Sequence, residues 1–301
     1  MPINTGSFAK DLWPGVNSWY GAKYDEYPVE HLDIFDKNTS SKAFEEDVGA
    51  AMFGMAPVKA EGMPISYDSA EQAFIDRYTH VTYALGFIIT EEMHDDGISM
   101  TVALRRAGAL AFSIRQSAET VAANVLNRAF NSSYTYGDGV ELCSTAHANQ
   151  TGGTWMNELA TAADLSEASL EQACIDIAGF TNDRGMKIAV RSKKLIIPKE
   201  LVFEAQRILE STLRPGVNDN DINALKSLGM IPQIVVNHYL SDTDAFFIKT
   251  DCPDGMKYFE RKAPSFASEN DFDTTNAKFK ASFRASWGCT DKRSIYGSPG
   301  A

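Results

Sequence analysis

From Ser99 to Phe130 the chain has no proline and one glycine, and its apolar residues recur every three or four positions. Met100, Leu104, Ala107, Ala111, Ile114, Ala118, Val121, Val125 and Ala129 fall on one stripe of a helix. At the α-helical rise this segment is about 48 Å long, well beyond the usual three or four turns. It predicts a strut, an element that spans a molecule rather than one enclosed within it. A period of two is cleanest near the C-terminus. There Ala277, Phe279, Ala281, Phe283, Ala285 and Trp287 interleave with Lys278, Lys280, Ser282, Arg284 and Ser286. That alternation predicts a strand of roughly 36 Å with one apolar and one basic face, long enough to lie beside the strut.

The remaining elements follow from shorter patterns. Residues 1–48 place Trp13, Trp19, Tyr20, Tyr24 and Tyr27 among turn residues with no steady period. Such aromatics need a surface to bury against. Two arrangements supply one: an extended arm lying along another subunit, or an arm folded back on its own domain. Residues 50–92 predict a β-hairpin, with glycine and proline punctuating the outgoing limb and Thr79 to Ile89 alternating along the return limb. Two strands alone are marginal in water, so the hairpin also wants a partner surface. Asp164-Leu165-Ser166-Glu167 opens a helix running to about Ala178, Lys194–Ile197 reads as a short buried strand, and Pro198 opens a second helix. A short helix over 221–228 closes at Gly229, and strands follow at 234–240, 245–250 and 256–261. Helices with mostly antiparallel strands, and no repeated βαβ unit, place the fold in the α+β class.

Charge narrows the function. Forty acidic against 28 basic residues leave a net charge of −12, which argues against wrapping nucleic acid directly, since phosphate binding needs clustered Lys and Arg. No apolar run approaches a membrane span and no signal-peptide layout opens the chain, so synthesis in the cytoplasm is expected. Four widely spaced cysteines read as reduced thiols. The five histidines form no metal-ligand pattern, and Cys143 with His147 lacks an evident orienting carboxylate. Asn218-Asp219-Asn220-Asp221 fails the calcium-loop register, and Gly152-Gly153 lacks the lysine of a phosphate-binding loop. The expectation is a protein with no catalytic residue, no cofactor and no metal.

Several stretches carry a resemblance. Phe44-Glu45-Glu46-Asp47-Val48-Gly49, Ala56-Pro57-Val58-Lys59, Ile65-Ser66-Tyr67-Asp68, Tyr78-Thr79-His80-Val81 and the run Val121 to Phe130 resemble the Mu-like major head subunits of tailed bacteriophages. So do Ser144-Thr145-Ala146-His147, Gly152-Gly153-Thr154-Trp155, Val236-Asn237-His238-Tyr239-Leu240 and Ile295 to Ala301. The order of arm, hairpin, strut helix, inserted mixed domain and returning strand is similar to the Hong Kong 97-type capsid fold. Cys143 and Ala148, and Cys289 in the returning strand region, depart from the pattern, touching loop packing and leaving the resemblance intact.

The resemblance implies an N-terminal arm (1–48), an extended hairpin loop (49–92), a peripheral domain with the spine helix (93–134 and 262–301) and an axial domain (135–261). It implies a major capsid protein whose copies form hexamers and pentamers of an icosahedral virion shell enclosing double-stranded DNA, without sequence-specific binding and with no membrane. The partners implied are further copies of the chain, a scaffolding protein, a portal and decoration proteins. With the arm starting near Met1, a scaffold is expected as a separate chain. Trp13, Trp19 and Tyr20 of the arm, with Lys59 and Glu61 at the hairpin tip, are the inter-subunit contact candidates. Lys59 is the sole lysine between Lys42 and Lys187, and neighbouring turn residues favour an exposed, charged amine rather than a covalent cross-link. An encapsulin-like compartment holding a cargo enzyme is the alternative within the same fold, and a soluble enzyme with a site assembled only in three dimensions is the alternative outside it.

Overall fold

The computed structural model describes residues 9–51, 53–69, 71–90, 92–93, 99–214, 221–271 and 276–301. Glu91 and residues 94–98, the loop residues Asn218 to Asn220 and the side chain of Trp13 lie outside this description.

Helices α1 (Ala9–Glu26), α2 (His31–Ile34) and α3 (Ser99–Asn127) precede α4 (Glu167–Ala178), α5 (Val202–Glu210) and α6 (Ala224–Leu228). Strands β1 (Asp36–Thr39), β2 (Phe44–Ala51), β3 (Glu71–Thr79) and β4 (Val81–Ile89) lie before α3. They are followed by β5 (His147–Ala148), β6 (Thr154–Trp155), β7 (Ser192–Ile197), β8 (Gln233–Val236) and β9 (Phe246–Thr250). The chain ends with β10 (Met256–Asn270), β11 (Ala277–Cys289) and β12 (Ile295–Ser298).

The strut is α3. Its 29 residues span about 43 Å, as do the 13 residues of β11. Ala107, Ala111, Ile114 and Ala118 of the predicted stripe are buried, and toward the C-terminal end the buried line moves to Ala122 and Leu126. Most of these are alanines, so neighbouring backbones approach closely. The helix packs on α1, β4 and β11, in a sheet ordered β1-β10-β11-β4. Phe279, Ala281, Phe283 and Ala285 supply the buried face of β11, while Lys278 and Lys280 are exposed. The ladder between β10 and β11 is irregular from Glu260 to Ser265, where Pro264 has no N–H to give.

A second sheet, β12-β9-β7-β8, forms a separate core with Leu170 and Ile177 of α4 and Ala205 and Leu209 of α5. Ser166 caps α4 with Ser169 as its reciprocal partner, and Gly229 ends α6 in the left-handed conformation at φ 60°.

One alternative is resolved and one expectation is corrected. Of the two arrangements open for the arm, residues 9–26 take the folded-back one, as one helix that accommodates Pro14 and Gly15 and buries Val16 and Tyr20 against the first core. The hairpin is β2 paired with β3, so its return limb is 71–79, and the alternating 81–89 segment instead joins the sheet beside β11. β10 runs unbroken across residue 261, and β12 returns to the second sheet beside β9.

Candidate assembly surfaces

Beyond β2 and β3 the hairpin continues as a loop, 53–69, without regular secondary structure. Its apolar side chains face outward: Met55 is 83% exposed, Val58 100% and Tyr67 87%, with Phe53, Met63 and Ile65 near 60%. Six large apolar side chains left in water on one loop mark a contact surface. Lys59 and Glu61, both exposed, sit at its tip beside a turn in which the Met63 N–H donates to the Ala60 carbonyl at 3.2 Å. Val48 and Ile75 extend the exposed apolar surface down the paired strands.

The root of the hairpin is fastened differently. Asp47 and Asp76 are directly opposite in the β2–β3 register, and each carboxylate has its own lysine. Lys292 donates to Asp76, the pair being almost completely buried, and the Gly137 N–H donates to the other Asp76 oxygen at 2.8 Å. Lys257 donates to Asp47, which also accepts from the Thr290 hydroxyl at 2.9 Å. Burial alone would raise the Asp47 carboxyl, but the Lys257 and Thr290 hydrogen bonds outweigh it and hold the group below its ordinary range. Tyr78 lies over Gly288 and its hydroxyl is 2.7 Å from Thr290 Oγ1. The hairpin is thereby tied to the C-terminal turn 288–292.

The arm divides into two roles. Tyr20, a contact candidate, is spent inside its own subunit: it is buried and stacks on Phe266 with ring centroids 4.8 Å apart. Trp19, one position further round the helix, is 43% exposed, with the Lys23 ammonium 5.3 Å from its ring centroid. Past α1, the segment 30–36 straps the two cores together. Glu30 accepts from the His238 backbone N–H at 2.9 Å and lies 2.6 Å from its Nδ1, and buried Glu119 of α3 accepts from the His31 N–H at 2.9 Å. Lys249 donates to the Ile34 carbonyl at 2.7 Å.

A family model described as phage capsid protein matches residues 75–298. The chain belongs to the phage capsid protein family. The solved structures it resembles include the virus-like particle from Pyrococcus furiosus, at TM-score 0.55 and 11% identity over 95% of this chain and 98% of that one. The capsid of an empty GTA particle gives TM-score 0.55 and 12% identity over 89% and 88% of the two chains. Mycobacterium phage Patience gives TM-score 0.52 and 10% identity over 98% and 88%. At such identities the likeness establishes the fold, which is the Hong Kong 97-like capsid fold. No curated protein matches the sequence.

As a phage capsid protein, the chain is a structural component of an icosahedral virion shell, and its polar interior is built accordingly. Cys143 is fully buried and burial pushes its thiol well above the ordinary value. His147 does have an orienting carboxylate, Asp138, 2.6 Å from Nδ1, which sequence spacing did not reveal. Its Nε2 lies 3.0 Å from Asn157 Oδ1, an oxygen that also accepts from the Ser144 N–H, while Asn157 Nδ2 donates to the carbonyls of Leu142 and Lys292. Trp155 covers the ring at 4.7 Å. Both imidazole nitrogens of this capsid protein are thus consumed in tying its loops to its C-terminus. No group of three or more His, Cys, Asp or Glu side chains is placed to hold a metal among the described residues. No helix among them is long and apolar enough to cross a membrane.

Proposed function

We propose that the chain is a major head subunit of the Mu-like type, whose copies associate as hexamers and pentamers that close the shell around double-stranded DNA. The observation that carries this reading is the hairpin loop: apolar side chains from Phe53 to Tyr67 project into water while the root of the same hairpin is tied down by paired charges. Burying one such side chain contributes about 1.5–3 kcal/mol, part of which offsets the cost of association. A closed shell repeats that gain at every subunit boundary. The loop and Trp19 lie on the next copy in this arrangement. The net charge of −12 suits a container whose wall does not trap its nucleic acid. Scaffolding protein guides assembly, a portal occupies one vertex, and decoration proteins bind the outer face.

The test is to express the chain together with a candidate scaffolding protein and to purify particles by sedimentation. Closed shells that enclose nuclease-resistant DNA when made in infected cells support the proposal. Shells that contain a stoichiometric enzyme and no DNA favour the cargo compartment. A soluble monomer that turns over a small substrate refutes both.

A further inference from the structure

The loop 53–69 is long enough that, left free, it would sample many conformations before it could dock. Its neck is closed instead. The Asp68 carboxylate accepts the Gly54 N–H through Oδ2 at 2.7 Å and the Ser69 N–H through Oδ1 at 2.9 Å, so one side chain bridges the outgoing and returning limbs. Arg184 then enters from the second core. Its Nη1 lies 3.2 and 3.3 Å from the two Asp68 oxygens, and its Nη2 donates to the Ser69 carbonyl at 2.5 Å. A planar guanidinium suits this three-point seat, which a lysine could not fill.

Arg184 is itself held rigidly. It sits in a turn closed by the Thr181–Lys187 bridge, and Asn182 Oδ1 accepts the backbone N–H groups of Arg184 and Met186 at 3.0 and 2.9 Å. The turn is fixed in turn by Arg293, which donates to the Thr181 carbonyl at 2.8 Å and to Asp183 at 3.0 Å while lying 4.5 Å from the Trp155 ring centroid. The Arg184 Nε is buried without an acceptor, so the side chain is not placed for its own best solvation. The hydrogen bonds from Gly54 and Ser69, with the Arg184 charge, hold the Asp68 carboxyl below its ordinary range, so at neutral pH the clasp is ionic.

We infer that Arg184 is a positioning residue which, through Asp68, closes the neck of the hairpin loop and presents its apolar limbs ready-ordered to a second copy of the chain. This rests on the shell reading above. The neck is polar and closed by hydrogen bonds, the tip is closed by the Ala60–Met63 turn with Gly62 at φ 79°, and the limbs between carry the exposed Met55, Val58, Ile65 and Tyr67. Ordering the limbs before contact removes a cost that would otherwise fall on docking. Losing the clasp should therefore weaken assembly without loosening the rest of the subunit.

The experiment compares the wild type with Arg184→Ala, Arg184→Lys and Asp68→Asn. Hydrogen exchange is read on free subunits, and the concentration at which shells form is read by sedimentation. Arg184→Ala should speed exchange of the Gly54 and Ser69 amides and raise the assembly concentration, each by about two- to fivefold, as expected for losing a partly exposed ion pair with its hydrogen bonds. Arg184→Lys should fall between, and the unfolding temperature should stay within a degree or two in all three. Amides that lose protection while assembly is unchanged overturn the positioning role, and amides that keep protection in Arg184→Ala overturn the clasp itself. A wild type that forms no shell refutes the shell reading, and with it the second copy as the loop's partner.

Discussion

Replacing Lys292 by methionine removes one member of the pair at the hairpin root. The Lys292 and Asp76 side chains are 6% and 7% exposed, so the surviving Asp76 carboxylate is left buried with the Gly137 N–H as its remaining strong donor. Breaking such a pair costs about 3–5 kcal/mol, a large fraction of a domain's stability. The double variant Asp76→Leu/Lys292→Met removes both charges and should recover part of that loss. It still orphans the Gly137 N–H, a residual of about 1–3 kcal/mol. Urea unfolding of free subunits, followed by tryptophan fluorescence, reads both values from the midpoint at constant slope. Hydrogen exchange of β3 should rise in the single variant before global unfolding. A single-variant loss under about 1 kcal/mol, typical of an exposed ion pair, would refute the claim that this pair anchors the hairpin.

Acid should loosen the same region. The Asp47 and Asp138 carboxyls are lowered in the folded chain, because hydrogen bonds from Lys257 and Thr290 and from His147, respectively, outweigh burial. Their stabilisation is complete above the ordinary carboxylate range, near about pH 4, and is lost as pH falls through the lower folded values. An Asp47→Asn/Asp138→Asn variant should be less stable at pH 7 and show a shallower loss below pH 4 in thermal unfolding; an unchanged acid slope would contradict this. Tyr20→Ala should cost about 3–5 kcal/mol in free subunits, as for other buried aromatic truncations, whereas Trp19→Ala should stay within about 0.5 kcal/mol and act on assembly. Equal stability losses would remove the distinction between the two sides of α1. Mature particles boiled in detergent should run as one band near the 33.0 kDa monomer. A covalent ladder abolished by Lys59→Ala would show a cross-link at the hairpin tip.

The long elements were legible in the sequence because their periodicity is long. The alanine-rich stripe of α3 and the Phe279-to-Trp287 alternation of β11 specify one buried face each over many repeats, which no local feature overrides. The helix over 9–26 was hidden by Trp13-Pro14-Gly15 and by aromatics whose burial is set by Phe266, far along the chain. The hairpin's return limb was misplaced because period-two alternation continues from β3 through His80 into β4, and alternation carries no signal of which neighbour a strand pairs with. The charged pairs were beyond sequence reading. Asp76 lies 216 residues from Lys292, and Asp68 lies 116 from Arg184. One signal was available: Asp76 puts a carboxylate among Phe74, Ile75 and Tyr78 within a strand, and a charge inside such a pattern requires a partner.

Electron cryomicroscopy of particles assembled from the purified chain and its scaffolding protein tests the central claim most directly. The account predicts closed icosahedral shells in which the 53–69 loop of each copy rests on an adjacent copy, with Val58 and Tyr67 withdrawn from solvent and Asp68 still seated on Arg184 of its own subunit. Shells in which that loop projects freely into solvent, or a protein that stays as single subunits at every concentration, would contradict it.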